Sequence, residues 1–443
     1  MDKVLMVSLG CPKNLVDSEI ITGILMNSNY EMTIVEEEAN IVIINTCSFI
    51  QPAVEEAITT ILHYAQLKNN GSINKLVVAG CLVERYKEDI IKNIKEVDLC
   101  LGIKAIKDVN KLLDNTDFSC IYGNDYEIDF LNLPRNLSSS NVYAYIKIGD
   151  GCDNTCTYCT IPAIRGKMKS RKIEDIVSEV KLCEENNIKE VILVAQDVTA
   201  YGYDIYNKLA LRDLVYEILN ATSKVWVRLL YCYPESTTDE LIELMAEEER
   251  FLSYIDIPLQ HASNKIIRLM NRKGSYQEYI TLINKIRNKI PDIAIRTTFI
   301  TGFPGETNED INILEGFIKE VQFDRLGIFP YYKEEGTPAA KLPKQIDDEE
   351  KEKRKDYLMK IQQDISLKKN KERLHKIYKV LIEGVADDGI FYFGRSYGEA
   401  PEIDINIYVT SKQPLEKGDI INVRIINVEQ YDLIGEAINE FTQ

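Results

Sequence analysis

The first 125 residues alternate short apolar runs with amphipathic stretches. Three of the runs are rich in β-branched residues and are predicted to be strands: VLMVSL, IVIINT and LVVAG. Each is followed by a segment whose apolar residues recur at helical spacing. Because strands that alternate with helices pair in parallel, residues 1–125 are predicted to form a parallel α/β sheet domain.

A second alternating segment covers residues 138–372, after a Pro- and Ser-rich linker at 132–141. Helical patterns separate its six candidate strands: YAYIKIG, EVILVAQD, VWVRLLY, YIDIPLQ, AIRTTFI and RLGIFPYY. Six strand–helix repeats predict a partial (β/α)6 barrel similar to a TIM barrel. Its functional groups should lie at the carboxyl ends of the strands. A charged connecting helix is expected within 345–376.

The last segment, residues 375–443, has a different pattern. Four strand-like runs follow one another with no helix between them: YKVLIEGV, IFYFGRS, INIYVTS and INVRIINVEQ. This pattern is typical of a small antiparallel β-barrel. The chain is therefore predicted to be a multidomain α/β protein with domains at 1–125, 138–372 and 375–443.

The composition of the chain indicates the cell compartment and the kind of partner that we expect. No apolar run approaches the roughly 18–20 residues of a membrane span, and the N-terminus lacks a cleavable signal pattern, so a cytoplasmic protein with no membrane partner is expected. In the reducing cytosol, ten cysteines point to metal binding or catalysis rather than to disulfides. The net charge of −17 disfavours broad phosphate-backbone binding and favours a basic partner.

The strongest chemical signal is DGCDNTCTYCTIP at 150–162. Cys152, Cys156 and Cys159 follow the first barrel strand with C-x3-C-x2-C spacing. Three thiolates on one tight loop can hold three corners of a 4Fe-4S cluster, with one iron open to another ligand. The alternative is a zinc knuckle, which normally needs a fourth Cys or His at close spacing.

Three more cysteines follow strands of the first domain. VLMVSLGC ends at Cys11, IVIINTC at Cys47 and LVVAGC at Cys81. About one strand–helix unit separates each from the next, so all three should lie at the carboxyl edge of the sheet, where such folds bind ligands. A second 4Fe-4S cluster is predicted there. The other cysteines are expected to be buried or incidental thiols: Cys100, Cys120, Cys183 and Cys232.

The cysteine loop at 150–162, with the aromatic Tyr158 before its last cysteine, resembles the radical S-adenosylmethionine superfamily. The resemblance implies that the open iron binds S-adenosylmethionine, whose reductive cleavage gives a 5′-deoxyadenosyl radical that abstracts hydrogen from a C–H bond. With the second cysteine triad and the C-terminal β-barrel, nearly the whole chain resembles the methylthiotransferases of that class. These combine an N-terminal methylthiotransferase domain, a radical barrel and a TRAM domain.

This family resemblance implies insertion of a methylthio group at a C–H bond. The implied cofactors are two 4Fe-4S clusters and S-adenosylmethionine, which serves as both methyl donor and radical source. Blocks at 196–204, 258–274 and 296–307 resemble family blocks. Their polar residues near strand ends form the expected cofactor-binding set: Gln196, Asp197, Gln260 and Arg296. The alternative is that some of these only satisfy hydrogen bonds at the barrel rim.

Several neighbouring residues have two interpretations. Arg165 and Arg171 either anchor an anionic group or form surface salt bridges. His261 either contacts cofactor or substrate, or packs and orients a neighbour. The GFPGE segment at 302–306 is expected to approach the adenine through its backbone.

Two features bear on the substrate. CPKN at 11–14 resembles the branch of the family that modifies an aspartate of small-subunit ribosomal protein S-twelve, as does the ending YDLIGEA. In physical terms, Pro12 fixes the start of the helix and Lys13 is expected to be solvated. Residues 373–443 contain seven Lys and Arg against twelve Asp and Glu, a net charge of −5. An acidic module suits a basic ribosomal protein better than RNA, unless the charge only keeps the barrel soluble.

The expected function is therefore methylthiolation of the β-carbon of that aspartate. The alternative within the family is a tRNA adenosine methylthiotransferase. The alternative from another class is a non-catalytic iron–sulfur or zinc adaptor that binds through its β-barrel. An electron donor such as flavodoxin or ferredoxin is an expected partner. The chain is expected to be a monomer, because nothing suggests an extensive self-interface.

Overall fold

A computed structural model of the chain describes residues 2–114, 119–121, 133–138 and 140–438. In chain order they form a parallel α/β sheet, an open parallel half-barrel and a small closed β-barrel. Among the helices of these ranges, none is long and apolar enough to cross a membrane.

The first sheet is parallel throughout, with the strand order β2-β1-β3-β4-β5-β6. Its strands are β1 (Asp2–Ser8), β2 (Tyr30–Thr33), β3 (Ile41–Thr46), β4 (Lys75–Gly80), β5 (Leu99–Leu101) and β6 (Ser119–Ile121). Its helices are α1 (Pro12–Met26), α2 (Gln51–Asn69), α3 (Cys81–Tyr86), α4 (Asp89–Asn93) and α5 (Val109–Leu113). The predicted strands are β1, β3 and β4. The other three, of three or four residues each, were not predicted.

The half-barrel confirms all six strands expected from the sequence, and its sheet follows their chain order. They are β7 (Tyr143–Lys147), β10 (Glu190–Val194), β11 (Trp226–Leu229), β12 (Phe251–Asp256), β13 (Ala294–Thr301) and β14 (Arg325–Pro330). Two short strands, β8 (Gly149–Asp150) and β9 (Lys169–Ser170), pair beside the second cysteine loop. The helices are α6 (Ile161–Arg165), α7 (Ile173–Glu185), α8 (Tyr203–Tyr206), α9 (Leu211–Ala221), α10 (Asp239–Glu247), α11 (Asn264–Leu269), α12 (Tyr276–Lys289), α13 (Asn308–Val321) and the connecting helix α14 (Asp348–Lys371).

The C-terminal barrel closes in the order β15-β16-β17-β19-β18. Its strands are β15 (Ile377–Val385), β16 (Tyr392–Arg395), β17 (Ile407–Thr410), β18 (Ile420–Val428) and β19 (Leu433–Ala437). The first four were predicted, and β19 was not. The β17–β19 ladder is parallel, while the other ladders are antiparallel.

Buried polar contacts dock this barrel under the half-barrel. Glu190, the first residue of β10, pairs with Arg395 of the C-terminal barrel at 2.8 Å. The Tyr143 hydroxyl donates to Glu402 at 2.8 Å, and the Tyr254 hydroxyl donates to Asp404 at 2.7 Å. Because Glu190 and Tyr143 begin their strands, the C-terminal barrel packs towards the amino ends of the half-barrel sheet. The carboxyl ends are therefore left to the first domain and to the cysteine loop.

Candidate functional site

Cys11, Cys47 and Cys81 each lie where a strand of the first sheet ends. Cys11 immediately precedes α1, Cys47 follows β3 and Cys81 opens α3. Since β1, β3 and β4 are neighbours in the sheet, the carboxyl ends that carry these residues are side by side. Gly10 has a φ of +93°, and a Cβ there would lie 2.5 Å from the Cβ of Cys47. A glycine before Cys11 therefore permits the close approach of two of the cysteine loops.

Asn14 connects the three loops of this first triad. Its fully buried side-chain amide donates to the carbonyl oxygens of Leu9 at 3.2 Å and Thr46 at 2.9 Å. Its Oδ1 lies 3.6 Å from the Sγ of Cys81 and 4.0 Å from the Sγ of Cys11. One side chain thus fixes the segments before Cys11 and Cys47 against the start of α3. It lies three residues after Cys11, which is the only sequence signal for this role.

The second triad occupies the loop between β8 and α6. Asn154, inside the loop, donates from Nδ2 to the Sγ of Cys152 at 3.4 Å and to Asp197 at 2.8 Å. The backbone N–H of Ile161, two residues after Cys159, lies 3.4 Å from the Cys159 Sγ. Asp197 therefore contacts the cysteine loop through Asn154.

An arginine and a tyrosine missed by the sequence analysis lie beside Cys156. The Nη1 of Arg272 is 3.8 Å from the Cys156 Sγ, and its guanidinium carbon is 4.3 Å from the centre of the Tyr233 ring. The Tyr233 hydroxyl is 3.4 Å from the same sulfur. The loop residue Tyr158 packs edge-on against Phe303, with ring centres 6.5 Å apart. A buried cation thus faces the second triad.

Both triads have the donor chemistry of a cluster site. Burial raises the pKa of Cys81 and Cys159 to about 12 and that of Cys152 to about 11, so the thiols hold protons that a metal must displace. Burial also opposes ionisation of Cys11, but the charges of Lys13 and Arg165 outweigh it and lower the pKa of this thiol. Cations beside the thiols would offset the negative charge of thiolates that held a cluster.

No three His, Cys, Asp or Glu side chains within the described ranges converge on a single metal ion. A four-iron cluster spreads its cysteine ligands over separate iron atoms, so its thiolates do not need to meet at one ion. Each triad supplies three cysteine ligands. One iron of a four-iron cluster at either triad would therefore have no cysteine ligand.

A buried charge network joins the first triad to Asp150 and Arg165, which flank the second cysteine loop. Arg165, the last residue of α6, pairs with Asp150 at 2.8 Å and with Asp17 at 3.0 Å, and its Nη2 lies 3.3 Å from the Cys81 Sγ. Lys147 pairs with both carboxylates at 2.7 Å. Since α6 has five residues, about 7 Å of helix connects the second cysteine loop to this network. The interpretation of Arg165 as a surface salt bridge is therefore wrong.

Two of the four expected cofactor residues have unusual features: an unpartnered side-chain oxygen among the described residues in Gln196 and a strained backbone in Gln260. Gln196 donates from Nε2 to Asp150 at 2.8 Å, but its buried Oε1 accepts no hydrogen bond from any residue that the structure describes. Gln260 has a φ of +71°, and its backbone bonds with β13 at Thr298 and Ile300. Positive φ at a residue other than glycine is costly and marks functional positions.

The other two are engaged with protein groups. Asp197 accepts from Asn154, from the Thr199 hydroxyl at 2.6 Å and from a backbone N–H. Arg296 lies 3.2 Å from Asp256 and 3.6 Å from Asp404 of the C-terminal barrel. Their binding of a cofactor stays a prediction.

The remaining candidates are buried. Arg171 pairs with Glu179 at 2.7 Å and is also not a surface residue. His261 has its Nε2 3.2 Å from Glu306, and its Nδ1 accepts from the backbone N–H groups of residues 262 and 263. These contacts show His261 packed in the core and bonded to Glu306, while its contact with cofactor or substrate stays a prediction.

In the CPKN segment, the expectation for Pro12 is confirmed and that for Lys13 is wrong. Pro12 is the first residue of α1, which confirms its role at the start of the helix. Lys13 is not solvated: only 8% of it is exposed, and its Nζ lies 3.5 Å from the centre of the Tyr231 ring. The tertiary contact with the half-barrel overrides the expectation from its position in the first helical turn.

Three family descriptions match parts of the chain. Residues 3–102 match "Uncharacterized protein family UPF0004", residues 146–317 match the radical SAM superfamily, and residues 376–438 match the TRAM domain. The ribosomal protein uS12 methylthiotransferase RimO of Acetivibrio thermocellus is 48% identical, over 99% of each chain. RimO of Clostridioides difficile is 46% identical, over 99% of this chain and 100% of its own length. The chain belongs to the RimO family.

Membership of the RimO family makes the chain a radical S-adenosylmethionine methylthiotransferase, as the resemblance implied. Two solved structures share the fold at 13% identity. The radical S-adenosylmethionine methyltransferase TsrM of Kitasatospora setae superposes with a TM-score of 0.53, over 74% of this chain and 73% of its own. The radical enzyme OxsB superposes with the same score, over 81% of this chain and 56% of its own. The RimO-family chain thus has a radical SAM fold.

Proposed function

We propose that this member of the RimO family inserts a methylthio group at the β-carbon of an aspartate in ribosomal protein uS12, protein S-twelve of the small subunit. The observation that carries the proposal is the buried network of Arg165, which connects the first cysteine triad to Asp150 beside the second cysteine loop. A methylthio transfer that uses two cluster sites requires them to share one reaction space. The substrate follows from the relatives, which are named for uS12.

The proposed cofactors are two 4Fe-4S clusters and S-adenosylmethionine. The proposed ligands of the first cluster are Cys11, Cys47 and Cys81, and those of the second are Cys152, Cys156 and Cys159. When bound, these groups supply the methyl group and the 5′-deoxyadenosyl radical. The proposed S-adenosylmethionine site consists of Gln196, Asp197, Gln260 and Arg296, and Asp197 also holds Asn154 of the cluster loop. The unpartnered Oε1 of Gln196 supports this assignment, since a buried amide oxygen without a donor is costly.

The residues of the chain hold the two triads in position and exclude water from the site. Asn14, Lys147 and Arg165 are each buried and hold the first triad against the half-barrel. Paired charges resist displacement because separating them leaves an uncompensated buried charge. A buried site also excludes water from a reactive radical, which would otherwise have competing partners.

The C-terminal barrel supports a protein substrate over tRNA. Of the seven positive side chains in residues 373–443, Arg395 is buried in an ion pair with Glu190, and Arg373, whose side chain is 14% exposed, pairs with Glu399. They do not contribute to a basic face, which an RNA-binding module needs. The proposal further includes a flavodoxin- or ferredoxin-type electron donor and a monomeric enzyme in the cytoplasm.

The test combines metal analysis with product analysis. After anaerobic reconstitution the wild type should hold about eight irons, and the variant with Cys152, Cys156 and Cys159 replaced by alanine about four. With uS12, S-adenosylmethionine and reductant, only the wild type should add the mass of CH3S in place of hydrogen at one aspartate. A methylthiolated adenosine in tRNA, with unmodified uS12, would select the tRNA enzyme. Zinc binding without cleavage of S-adenosylmethionine would select the adaptor.

A further inference from the structure

Lys13 is a largely buried residue whose ammonium still reaches solvent and has no carboxylate bound to it among the described residues. It is 8% exposed, and its Nζ has no hydrogen-bond or ion-pair partner in the part of the chain that the structure describes. Burying a charge is costly unless an opposite charge or hydrogen bonds compensate. The face of the Tyr231 ring gives partial compensation at 3.5 Å, but a ring face does not use all three N–H donors of an ammonium.

Hydrogen bonds hold the backbone of Tyr231 in a strained conformation. Its φ is +66°, although it is not glycine, and it lies just after β11 at the carboxyl end of the half-barrel sheet. Its N–H donates to Asp256 at 3.0 Å, and its carbonyl accepts from Val198 at 3.2 Å. Such strain persists only where neighbours impose it, and it collects at functional sites. The ring therefore gives Lys13 a fixed seat across the domain boundary.

The carboxylates around this seat are already paired with other cations. Asp150 and Asp17 pair with Arg165 and Lys147, and Asp256 pairs with Arg296. Among the described residues, Lys13 thus differs from Arg165 and Lys147 in having no carboxylate as an ion-pair partner. It lies two residues after Cys11, so an anion bound to it would sit beside the first triad.

We propose that Lys13, seated on the Tyr231 ring, binds the side-chain carboxylate of the target aspartate. This inference rests on the proposed function and adds the group that selects the substrate residue. In aspartate the β-carbon is bonded directly to the carboxylate carbon. An ammonium that holds the carboxylate therefore also fixes the carbon that reacts. An asparagine in the same place offers no charge to the ammonium.

The test uses reconstituted holoenzyme and two uS12 peptides, one with the target aspartate and one with asparagine in its place. Binding is measured by fluorescence anisotropy for the wild type, for Lys13→Met and for the matched control Lys107→Met, an exposed lysine of the same domain. The wild type and the control should prefer the aspartate peptide by about 30-fold, and Lys13→Met should lose the preference. Tyr231→Leu, which removes the seat, should reduce it.

The outcomes separate this inference from the proposed function. A wild type that does not methylthiolate the aspartate peptide refutes the proposed function itself. A wild type that modifies the peptide but binds both peptides equally overturns only the role of Lys13, whether or not Lys13→Met folds. A Lys13→Met enzyme that keeps the preference also overturns it. If that enzyme instead shows altered iron content or cluster spectra, the ammonium serves the cluster.

Discussion

The Nη2 of Arg165 lies 3.3 Å from the Sγ of Cys81, while its Nη1 pairs with Asp150 at 2.8 Å. Arg165 belongs to the half-barrel and Cys81 to the first sheet, so one side chain contacts both cysteine-bearing units. Its helix directly follows the second cysteine loop. Because its charge is buried and paired, its position is fixed, and with it the position of the first triad relative to the second loop.

Replacing Arg165 should therefore affect the first cluster selectively. We expect Arg165→Met to lose most of the iron held by the first triad, about half of the total, because Cys81 loses the cation that favours its thiolate. Iron analysis and electron paramagnetic resonance after reconstitution measure this. Arg171→Met is the matched control, since Arg171 is also buried and ion-paired but has no hydrogen bond to a cysteine of either triad among the described residues. Equal iron loss in both variants would contradict the assignment.

Arg272 should set the reduction potential of the second cluster. Its guanidinium lies 3.8 Å from the Cys156 sulfur, and a nearby positive charge favours the more negative, reduced cluster. Arg272→Met should lower the midpoint potential by on the order of 100 mV, measured in an electron paramagnetic resonance redox titration. Arg268→Met, an exposed arginine four residues earlier, should leave the potential unchanged. A rise after Arg272→Met would show that the arginine does not act through its charge.

Gln196 should contribute to cofactor affinity. Its buried Oε1 has no donor among the described residues, so Gln196→Leu should weaken S-adenosylmethionine binding about ten-fold, the loss of one buried hydrogen bond. Equilibrium dialysis against the reconstituted enzyme measures the dissociation constant. Gln362→Leu is a close control, because Gln362 is also buried with an unpartnered Oε1 but lies on α14. If both variants bind the cofactor as the wild type does, the Gln196 side chain only satisfies hydrogen bonds at the barrel rim.

Glu399 should make the docking of the C-terminal barrel sensitive to acid. Its carboxylate pairs with Arg373 at 2.5 Å and Arg325 at 2.9 Å. Burial alone would raise the pKa of Glu399, but the two arginines outweigh it and lower the pKa to about 2, from a usual 4.5. The folded state thus binds fewer protons than the unfolded state. The resulting stabilisation, about 3 kcal/mol, is complete above pH 4.5 and is lost as the pH falls towards 2.

Trp226 allows this stabilisation to be measured by fluorescence. It is the single tryptophan and shares a hydrophobic core with Leu381 and Ala400 of the C-terminal barrel. In urea unfolding followed by its fluorescence, Glu399→Gln should lower stability at pH 7 and differ much less from the wild type at pH 3. Glu416→Gln, an exposed acid of the same barrel, should match the wild type at both pH values. An equal deficit at both pH values would contradict a role for the charge.

The strands that the sequence predicts lie within longer apolar runs, as the four-residue strand β11 does within VWVRLLY. The six strands of the half-barrel and the central strands β1, β3 and β4 carry enough apolar positions to show their period. The three-residue strands β5 and β6 do not. The strand β19 was missed because LIGEA is only five residues long and has a glycine at its centre, and only closure against β17 and β18 gives it partners.

The sequence alone determined where the cysteines lie. In a parallel α/β unit the end of each strand is a fixed place, so the spacing of Cys11, Cys47 and Cys81 was sufficient to place them at one edge. Tertiary structure decided which charges face them. Arg165, Arg272 and Lys13 are separated from their partners by many residues or belong to another domain, and their contacts depend on how the domains pack. Local sequence sets the backbone position of a side chain, whereas the burial and pairing of its charge depend on the whole fold.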